Sequence, residues 1–325
     1  MKRLILGTHG DSVSKAGLDG FVLRFPSIFL RFVWRPPSSN ELAAYLAARS
    51  EVHGPGEHWS DFVDWRSYRR RERRNLALHE FCEPFDVIEL WFDKEPNEQL
   101  LLLWLLDHLR SYPAIVSRLG LRLVTSDLIM MPFDGPEPDE VPLVDVTSAD
   151  IETASKCWEA YHSSTPQACF DLIHNDLSAF PLLRPAIADL LAELPSRAGL
   201  GATEMRLLEL IASGYEGTSS LFYQNLGQRR VFNDMEIGTL LERLAHGPRP
   251  VIEGLDDALR TIDSQYGEGR VEAFQRSRLS VTAFGEAVLV HKEDFSSHNP
   301  IDRWWGGTHL TNDNLWRCDL TLTRP

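Results

Sequence analysis

The sequence predicts an α/β protein in which a mostly parallel three-layer sheet domain precedes a helical, winged-helix-like part with a short β tail. Three observations predict it. Strand-like and helix-like patterns alternate to about residue 130, an acidic and proline-rich stretch follows at 130–142, and helical periodicity then continues into a Trp-rich tail. Such alternation is typical of parallel sheets covered by helices. The expected divisions are an α/β (Rossmann-like) domain at 1–135, a helical connector at 145–195 and a winged-helix-like domain at 196–325.

In the first part, short apolar or β-branched runs predict strands, and capping residues predict where helices begin. The strands are expected at 3–7, 20–25, 86–92 and 121–127. Helices are expected from residue 11, over 38–49 behind a Ser or Asn cap, over 59–81, and over 97–109 with Asn97 as the cap.

The second part carries repeated helical periodicity. Helices are expected at 150–161, 167–174, 182–194, 203–213, 217–227 and 233–247. Thr203 is the expected cap of its helix, and Leu207, Leu208 and Ile211 share one face. Three helices followed by a short β-hairpin within 277–289 suit a winged helix-turn-helix. The tail from 299 onward should return as short strands packed on the body.

Charge and cysteine usage limit the partners and the compartment. The 325 residues contain 47 acidic and 33 basic side chains, a formal net charge of −14. That charge disfavours general nucleic-acid binding and adhesion to an anionic membrane. The four cysteines contain no C-x-x-C pair, so no zinc site, disulfide framework or other metal site is predicted. The apolar run behind Met1 is short for a signal peptide, and 100–106 is far below the ~20 residues that span a bilayer. A cytoplasmic protein with no membrane partner is expected.

Five motifs occur in a characteristic order along the chain. They are GDS at 10–12, ELWFDKEPNEQLLLLWLL at 89–106, LPSRAGLGATEMRLLELI at 194–211, LSVTAFGEAVL at 279–289, and PIDRWWGGTHL followed by LWR between 300 and 317. In these motifs the chain resembles the uncharacterised bacterial family catalogued as domain of unknown function 1835. The resemblance implies an amino-terminal α/β domain and a winged-helix-like carboxyl part, without an established activity. The chain departs from the family's Glu-His-Asp run at Asp93-Lys94-Glu95.

The loop after the first predicted strand is the first candidate ligand site. Its candidate residues are Gly7, His9, Gly10, Asp11 and Ser12. Gly7 and Gly10 would let the backbone approach a phosphate, and unpaired N–H groups at a helix start favour an anion. Alternatively, Asp11 or Ser12 caps the helix and no ligand binds. The spacing G-x-x-G matches neither the dinucleotide fingerprint nor a Walker loop.

The same loop also allows a nucleophile hypothesis. Gly10-Asp11-Ser12 resembles the G-D-S serine of one class of hydrolases, which makes Ser12, Asp11 and His9 candidate catalytic residues. Asp171 and His174 have the three-residue spacing of the acid and base. They lie in a predicted helix, where such spacing more naturally gives surface neighbours. Oxyanion donors are not evident in the sequence.

A second candidate cluster follows the predicted strand at 86–92. It comprises Trp91, Asp93, Glu95 and Gln99. In a parallel sheet these side chains share an edge with the loop after the first strand, where open α/β sheets bind ligands. The carboxylates are suited to ribose hydroxyls, a metal or a basic substrate. The alternative is that acids at a helix start interact favourably with its dipole.

Three further features have competing explanations. Six arginines lie within 66–74. They suit contacts to nucleic-acid phosphates, a solvated exposed helix, or a helix that docks onto the protein's own acidic surface. The candidate recognition helix at 234–246 is acidic, and 196–300 has 11 basic against 15 acidic residues. DNA binding is therefore disfavoured relative to a protein partner. In the tail, Asp302 and Arg303 are expected to form an ion pair, Trp304, Trp305 and Trp316 to close a core, and His309 either to pack or to bind a ligand.

These observations favour a ligand-responsive regulator or adaptor, with a role in transcription regulation as one version. Its amino-terminal sheet would bind a small anionic, phosphate-bearing ligand, and its winged-helix-like half a protein partner or DNA. The alternative is an enzyme acting on a nucleotide or phosphorylated small molecule at the sheet edge. A lesser alternative is a serine hydrolase using Ser12. The sequence identifies no cofactor.

Overall fold

The computed structural model describes residues 2–8, 21–25, 35–63, 65, 71–123, 141–226, 231–256, 268–319 and 321–323. Within those ranges the strands are β1 (Arg3–Gly7), β2 (Phe21–Arg24), β3 (Val87–Phe92), β4 (Leu119–Leu123), β5 (Val144–Asp145), β6 (Ile252–Glu253), β7 (Ser280–Val281), β8 (Asp302–Trp305), β9 (Thr308–Thr311), β10 (Arg317–Cys318) and β11 (Leu322–Thr323). The helices are α1 (Ser39–Leu46), α2 (Leu78–Cys82), α3 (Pro96–Leu109), α4 (Pro113–Val116), α5 (Ser148–Tyr161), α6 (Gln167–Leu172), α7 (Leu183–Leu191), α8 (Ala202–Ala212), α9 (Thr218–Leu226), α10 (Asp234–His246), α11 (Glu268–Arg276) and α12 (Ala283–Leu289).

The described residues divide into two compact units. The first contains β1, β2, the described part of Pro36–Ala160, and Leu177–Leu183. The second contains Tyr161–Asp176 and the described part of Arg184–Pro325. Among the helices in the described ranges, none has both the length and the apolar character needed to cross a membrane.

The first unit is built on a five-stranded sheet in the order β2-β1-β3-β4-β5. Strands β2, β1, β3 and β4 run parallel, and Leu4 of β1 lies opposite Phe21 on one side and Ile88 on the other. Strand β5 pairs antiparallel with β4 through Val144 and Leu121. The predicted α/β class with a mostly parallel sheet is therefore confirmed.

Helix α3 supplies much of the core of this unit. It packs on β3, and 11 of its 14 residues are buried, which is typical of a helix that is apolar almost all round. The Trp104 ring lies 6.3 Å from the Phe25 ring and 6.2 Å from the Tyr45 ring. Because α3 begins four residues after β3 ends, its first turn lies at the carboxyl edge of the sheet.

The prediction of one helix from Trp59 to Phe81 is wrong. The described residues form 3-10 turns at Trp59–Phe62 and Arg71–Asn75 before α2 begins at Leu78. The fully buried Trp59 ring packs 5.0 Å from Phe81 and donates its indole N–H to the Leu76 carbonyl at 3.0 Å. Tertiary packing of these aromatic rings overrides the local helical pattern.

Two predicted helix caps are also wrong. Helix α3 begins at Pro96, behind a Glu95 whose side chain makes no capping bond, so Asn97 lies inside the first turn. Proline suits the first helical position because it has no N–H to satisfy there. The cap of α8 is Gly201 rather than Thr203, and a Cβ at Gly201 would lie 2.6 Å from the Glu193 carbonyl oxygen.

The second unit differs in one respect from the predicted order of three helices followed by a β-hairpin. Strand β7 pairs antiparallel with β6, but α11 lies between them in the chain. The rest of 277–289 is not strand, because Thr282 caps α12 by accepting the Gly285 N–H at 3.1 Å. The tail does return as short antiparallel pairs, β8 with β9 and β10 with β11.

Candidate functional site

The order of the parallel strands creates a topological switch point between β1 and β3. The chain passes from β1 outward to β2 and then returns across β1 to β3. Gly7 at the end of β1 lies opposite Trp91, one residue before the end of β3. In open α/β sheets ligands bind at such a point, beyond the carboxyl ends of the strands. Thr8 and Asp93, the residues that follow the two strands, lie at this edge.

Four polar side chains meet there, and we call Thr8, Asp93, Glu98 and Gln99 the rim cluster. The Thr8 hydroxyl donates to Glu98 Oε1 at 2.5 Å, which brings the first turn of α3 to the end of β1. The Gln99 amide donates to the Asp93 carbonyl oxygen at 2.5 Å, and an Asp93 carboxylate oxygen accepts the Lys94 N–H. These bonds hold the loop between β3 and α3 against the sheet.

Every member of the rim cluster is buried. The exposed fraction is 0% for Asp93, 1% for Gln99, 5% for Glu98 and 9% for Thr8. Asp93 Oδ2 and Glu98 Oε2 are buried and accept no hydrogen bond from the described part of the chain. A buried polar atom without a partner costs about 1–3 kcal/mol, so such atoms require an explanation.

The electrostatics of the cluster are acidic. Burial, together with the nearby Glu95 and Asp93, raises the pKa of Glu98 to about 8 against the hydrogen bond from Thr8, which lowers it. Glu98 is therefore mostly protonated at neutral pH. The first turn of α3 contributes the positive end of a helix dipole, which stabilises ionised carboxylates nearby.

Gly7 and Trp91 have packing roles. A Cβ at Gly7 would lie 2.5 Å from the Trp91 carbonyl oxygen, so the close approach of β1 to β3 requires glycine there. The Trp91 indole donates to Glu89 Oε2 at 2.9 Å, and its ring lies under the Arg122 guanidinium at 5.5 Å. Glu89 also binds Arg122 at 2.7 Å and Arg3 at 3.1 Å. Trp91 thus belongs to a buried polar network on one face of the sheet.

The remaining predicted site residues divide into two groups. Glu95 is the half-buried cap position of α3 and lies at the same edge. His9, Gly10, Asp11 and Ser12 lie outside the described residues, as does the expected helix from residue 11.

The predicted acid and base of the hydrolase hypothesis are exposed. The Asp171 carboxylate accepts the Gln167 amide at 2.8 Å, and the His174 ring lies 5.8 Å from the Phe170 ring. The two residues behave as surface neighbours on one helical segment, as their spacing suggests.

The arginine run is described only from Arg71 onward. Arg73 donates to the carbonyl oxygens of Glu80 at 2.6 Å and Phe81 at 3.3 Å, and its guanidinium lies 5.8 Å from the Phe81 ring. This arginine binds the protein's own backbone, and the prediction that the run lies on one exposed helix is wrong for Arg71–Asn75.

The second unit contains a contrasting group, Glu193, Glu204, Arg243 and Arg303, which we call the ion cluster. Glu204 is fully buried and lies 2.5 Å from Arg243 Nη1 and 3.1 Å from Arg303 Nη1. Burial alone would raise the pKa of Glu204, but Arg303 and Arg243 hold it below its usual value. Burial raises the pKa of Glu193 to about 7, although Thr203 donates to it through both its hydroxyl, at 2.6 Å, and its N–H.

The ion cluster overturns the predicted Asp302–Arg303 ion pair. Successive side chains of a strand point to opposite faces, so these neighbours on β8 separate. Arg303 is 6% exposed and also donates to the Glu193 carbonyl oxygen at 2.8 Å. Asp302 points to solvent and binds His309 at 2.6 Å, while His309 stacks on Trp304. The Trp305 indole is buried and donates to the Leu190 carbonyl oxygen, as expected of a core-closing tryptophan.

The described ranges contain no group of side chains that would support metal binding. No three His, Cys, Asp or Glu side chains there are placed to hold one ion together. The described cysteines are free thiols; Cys82, Cys157 and Cys169 are buried.

Sequence reasoning missed two members of the rim cluster, Thr8 and Glu98. Thr8 directly follows β1, and Glu98 lies one turn into the helix after β3. Both positions become neighbours once β1 and β3 are paired, so the order of strands was the missing information.

No protein-family model matches this chain, and no curated protein matches it either. The resemblance to domain of unknown function 1835 therefore stays a prediction.

Proposed function

We propose that the protein is a ligand-responsive regulator or adaptor whose sheet binds a small phosphate-bearing molecule at the β1–β3 switch point. The observation that carries the proposal is the rim cluster, where Asp93 Oδ2 and Glu98 Oε2 are buried without partners in the described part of the chain. A small ligand at this edge would supply hydrogen bonds to both. The sequence predicts that its phosphate lies near Gly7 and Gly10, of which Gly10 lies outside the described residues.

The second half of the proposal concerns the helical unit, which we interpret as winged-helix-like. Helices α8, α9 and α10 precede the β6–β7 pair, and α8 packs against α9, α10, α12 and β7. This order supports a helix-turn-helix with an enlarged wing that contains α11. The interpretation agrees with the family resemblance at 279–289.

A protein partner suits this unit better than DNA. Phosphate contacts require available cations, and the candidate recognition helix α10 carries Asp234, Glu236 and Glu242 against Arg243. The Arg243 guanidinium binds the buried Glu204 and lies 5.1 Å from the Phe295 ring. It is therefore not free to bind a phosphate.

Thermal unfolding with a panel of small molecules tests the ligand. The panel contains inorganic phosphate, nucleoside monophosphates and sugar phosphates, each with and without Mg²⁺. A ligand at 100 times its Kd should stabilise the protein by ~2.7 kcal/mol. Asp93→Asn should reduce the shift, and Glu83→Gln, an exposed acid at the other end of β3, should not. A panel in which nothing shifts the wild-type protein would end the proposal.

One observation favours an enzyme as the second candidate. Glu98 is buried, bonded to Thr8, and has its pKa raised to about 8, which is the range of a general acid at neutral pH. The substrate would be a nucleotide or phosphorylated small molecule at the same edge. Turnover of any panel member that disappears in Glu98→Gln supports this candidate, whereas binding without turnover leaves the regulator.

The serine hydrolase is the remaining alternative. It requires Ser12 together with an acid and base, and Asp171 accepts from Gln167 instead of orienting His174. A hydrolysis assay with short acyl esters tests it directly. Equal activity of Ser12→Ala and wild type would exclude Ser12 as nucleophile.

A further inference from the structure

We propose that the rim cluster recognises a hydroxyl group of the ligand, so that the molecule bound at the β1–β3 switch point is a polyhydroxylated phosphate such as a sugar phosphate or ribonucleotide. The inference rests on the proposed function and names its ligand class. It follows from the two buried oxygens that have no partner in the described part of the chain, Asp93 Oδ2 and Glu98 Oε2, and from what each can accept or donate.

The surroundings of these atoms disfavour a bare anion. Three acids lie on the segment that leaves β3, namely Asp93, Glu95 and Glu98, and the adjacent cation Lys94 is exposed. The other bonds of the rim cluster come from the neutral Thr8 hydroxyl, the Gln99 amide and the backbone. A phosphate placed against these acids would meet repulsion, and the described residues of the rim cluster include no buried cation to offset it.

The two carboxyl groups differ in what they offer. Asp93 presents an acceptor at Oδ2. Glu98 already accepts the Thr8 proton at Oε1, and it keeps its own proton at neutral pH because burial holds its pKa near 8. Its free oxygen Oε2 is then a donor. An acceptor and a donor therefore lie at the same edge.

A hydroxyl group matches this pair because it donates one hydrogen bond and accepts others. An ammonium group only donates, and an ionised phosphate oxygen only accepts. A divalent metal would need Glu98 ionised, and the described residues offer no third carboxylate, histidine or thiolate grouped with the pair. The low dielectric around buried atoms strengthens the bonds to a hydroxyl once they form.

The test compares ligands that share a phosphate and differ in hydroxyl groups. Isothermal titration of the full-length protein uses ribose 5-phosphate, n-pentyl phosphate and inorganic phosphate. Ribose 5-phosphate should bind at least about tenfold more tightly than pentyl phosphate, because a hydrogen bond to a charged group accounts for a factor of that size. Asp93→Asn and Glu98→Gln should each reduce that preference, and Glu83→Gln should preserve it.

The outcomes separate the two proposals. Equal affinities for ribose 5-phosphate and pentyl phosphate would overturn the hydroxyl inference and leave phosphate binding standing. No binding of any of the three compounds would overturn both. A preference for ribose 5-phosphate that survives in Asp93→Asn and Glu98→Gln would assign the hydroxyl to other residues and would also overturn the inference. Binding that requires Mg²⁺ and is insensitive to the hydroxyl groups would replace it with a metal-bridged phosphate.

Discussion

The rim cluster of the sheet unit and the ion cluster of the helical unit both bury two glutamate or aspartate side chains, but they satisfy them differently. In the ion cluster, Glu204 has two arginines within 3.1 Å and accepts the Gly201 N–H at 2.9 Å. In the rim cluster, burial together with the neighbouring Glu95 and Asp93 raises the pKa of Glu98, and Asp93 and Glu98 each keep an oxygen without a partner in the described part of the chain.

The difference separates buried acids that the fold completes from buried acids that the described residues leave incomplete. A buried carboxylate surrounded by guanidinium groups and N–H donors has its oxygens satisfied within the fold, and breaking it costs stability. A buried carboxylate with an oxygen that lacks a partner costs stability as it stands, so such an atom requires an explanation. The Glu89 network in the sheet unit is of the first kind, since Arg3, Arg122 and Trp91 all bind its carboxylate.

The largest effect should come from the ion cluster. Glu204→Gln leaves Arg243 and Arg303 buried without their counter-ion, and breaking a buried pair in this way costs ~3–5 kcal/mol. Urea unfolding at pH 7 measures the change. The matched control is Glu209→Gln on the same helix, because Glu209 is 51% exposed and pairs with Arg206 at the surface. Equal stability of the two variants would contradict the view that Glu204 is the buried counter-ion of Arg243 and Arg303.

Substitution of Glu98 in the rim cluster should change the free energy of unfolding in the opposite direction and stabilise the protein near pH 8. With a folded pKa of about 8 against an ordinary value of 4.5, Glu98 keeps its proton in the native state while the unfolded chain has lost it. The free energy of unfolding therefore falls as pH rises from 4.5 to 8, by about 1.4 kcal/mol per pH unit. Gln cannot ionise, so Glu98→Gln should remove this slope and be the more stable protein near pH 8.

Urea unfolding of both proteins at pH 5.5, 6.5 and 7.5 checks the slope. The gap in favour of the variant should widen with each step. Glu193 contributes a similar slope to both proteins because its pKa is raised to about 7, and it cancels in the comparison. Parallel stability curves would show that Glu98 is already ionised in the native state.

The sequence predicted the strands that form the site better than the side chains that lie in it. Apolar runs gave β1 and β3 nearly to the residue, and Asp93, Glu95 and Gln99 were expected at the sheet edge because parallel strands end together. Thr8 and Glu98 could not be chosen from spacing alone. Their hydrogen bond spans 90 residues, and only the pairing of β1 with β3 brings them into contact.

The ion cluster could not be predicted from sequence patterns for the same reason. Thr203 has the chemistry of a helix cap, and Arg303 stands beside an acid, so local rules predicted a cap and a neighbouring ion pair. Burial decides otherwise, because Glu193 takes its donors from Thr203 and Glu204 is paired with Arg303, which lie in other segments of the chain. Local rules succeeded where the partner is local, as at Ser38, which caps α1 as a member of a capping box with Glu41.

The hydroxyl of Thr203 offers a smaller test within the ion cluster. Thr203→Val removes the 2.6 Å bond to Glu193 and should cost about 1–3 kcal/mol. Because that bond favours the ionised form, its loss should raise the pKa of Glu193 further, and the cost should be greater at pH 8 than at pH 5.5. Thr153→Val, which removes an exposed hydroxyl bond to the Ala149 carbonyl oxygen on α5, is the control. A pH-independent cost would mean that Glu193 does not titrate between pH 5.5 and pH 8.

The smallest effect should come from Asp302, the immediate neighbour of Arg303. Its carboxylate is 84% exposed and its partner His309 is 43% exposed, so water screens the pair and Asp302→Asn should change the free energy of unfolding by less than ~1 kcal/mol. Added salt should leave the cost of Glu204→Gln in place, because that ion pair is buried. A large, salt-resistant loss in Asp302→Asn would mean that exposure does not separate complete clusters from incidental pairs. Asp302 and Arg303, which are consecutive in β8, would then contribute equally to the free energy of unfolding, although Arg303 lies against Glu204 and Asp302 faces solvent.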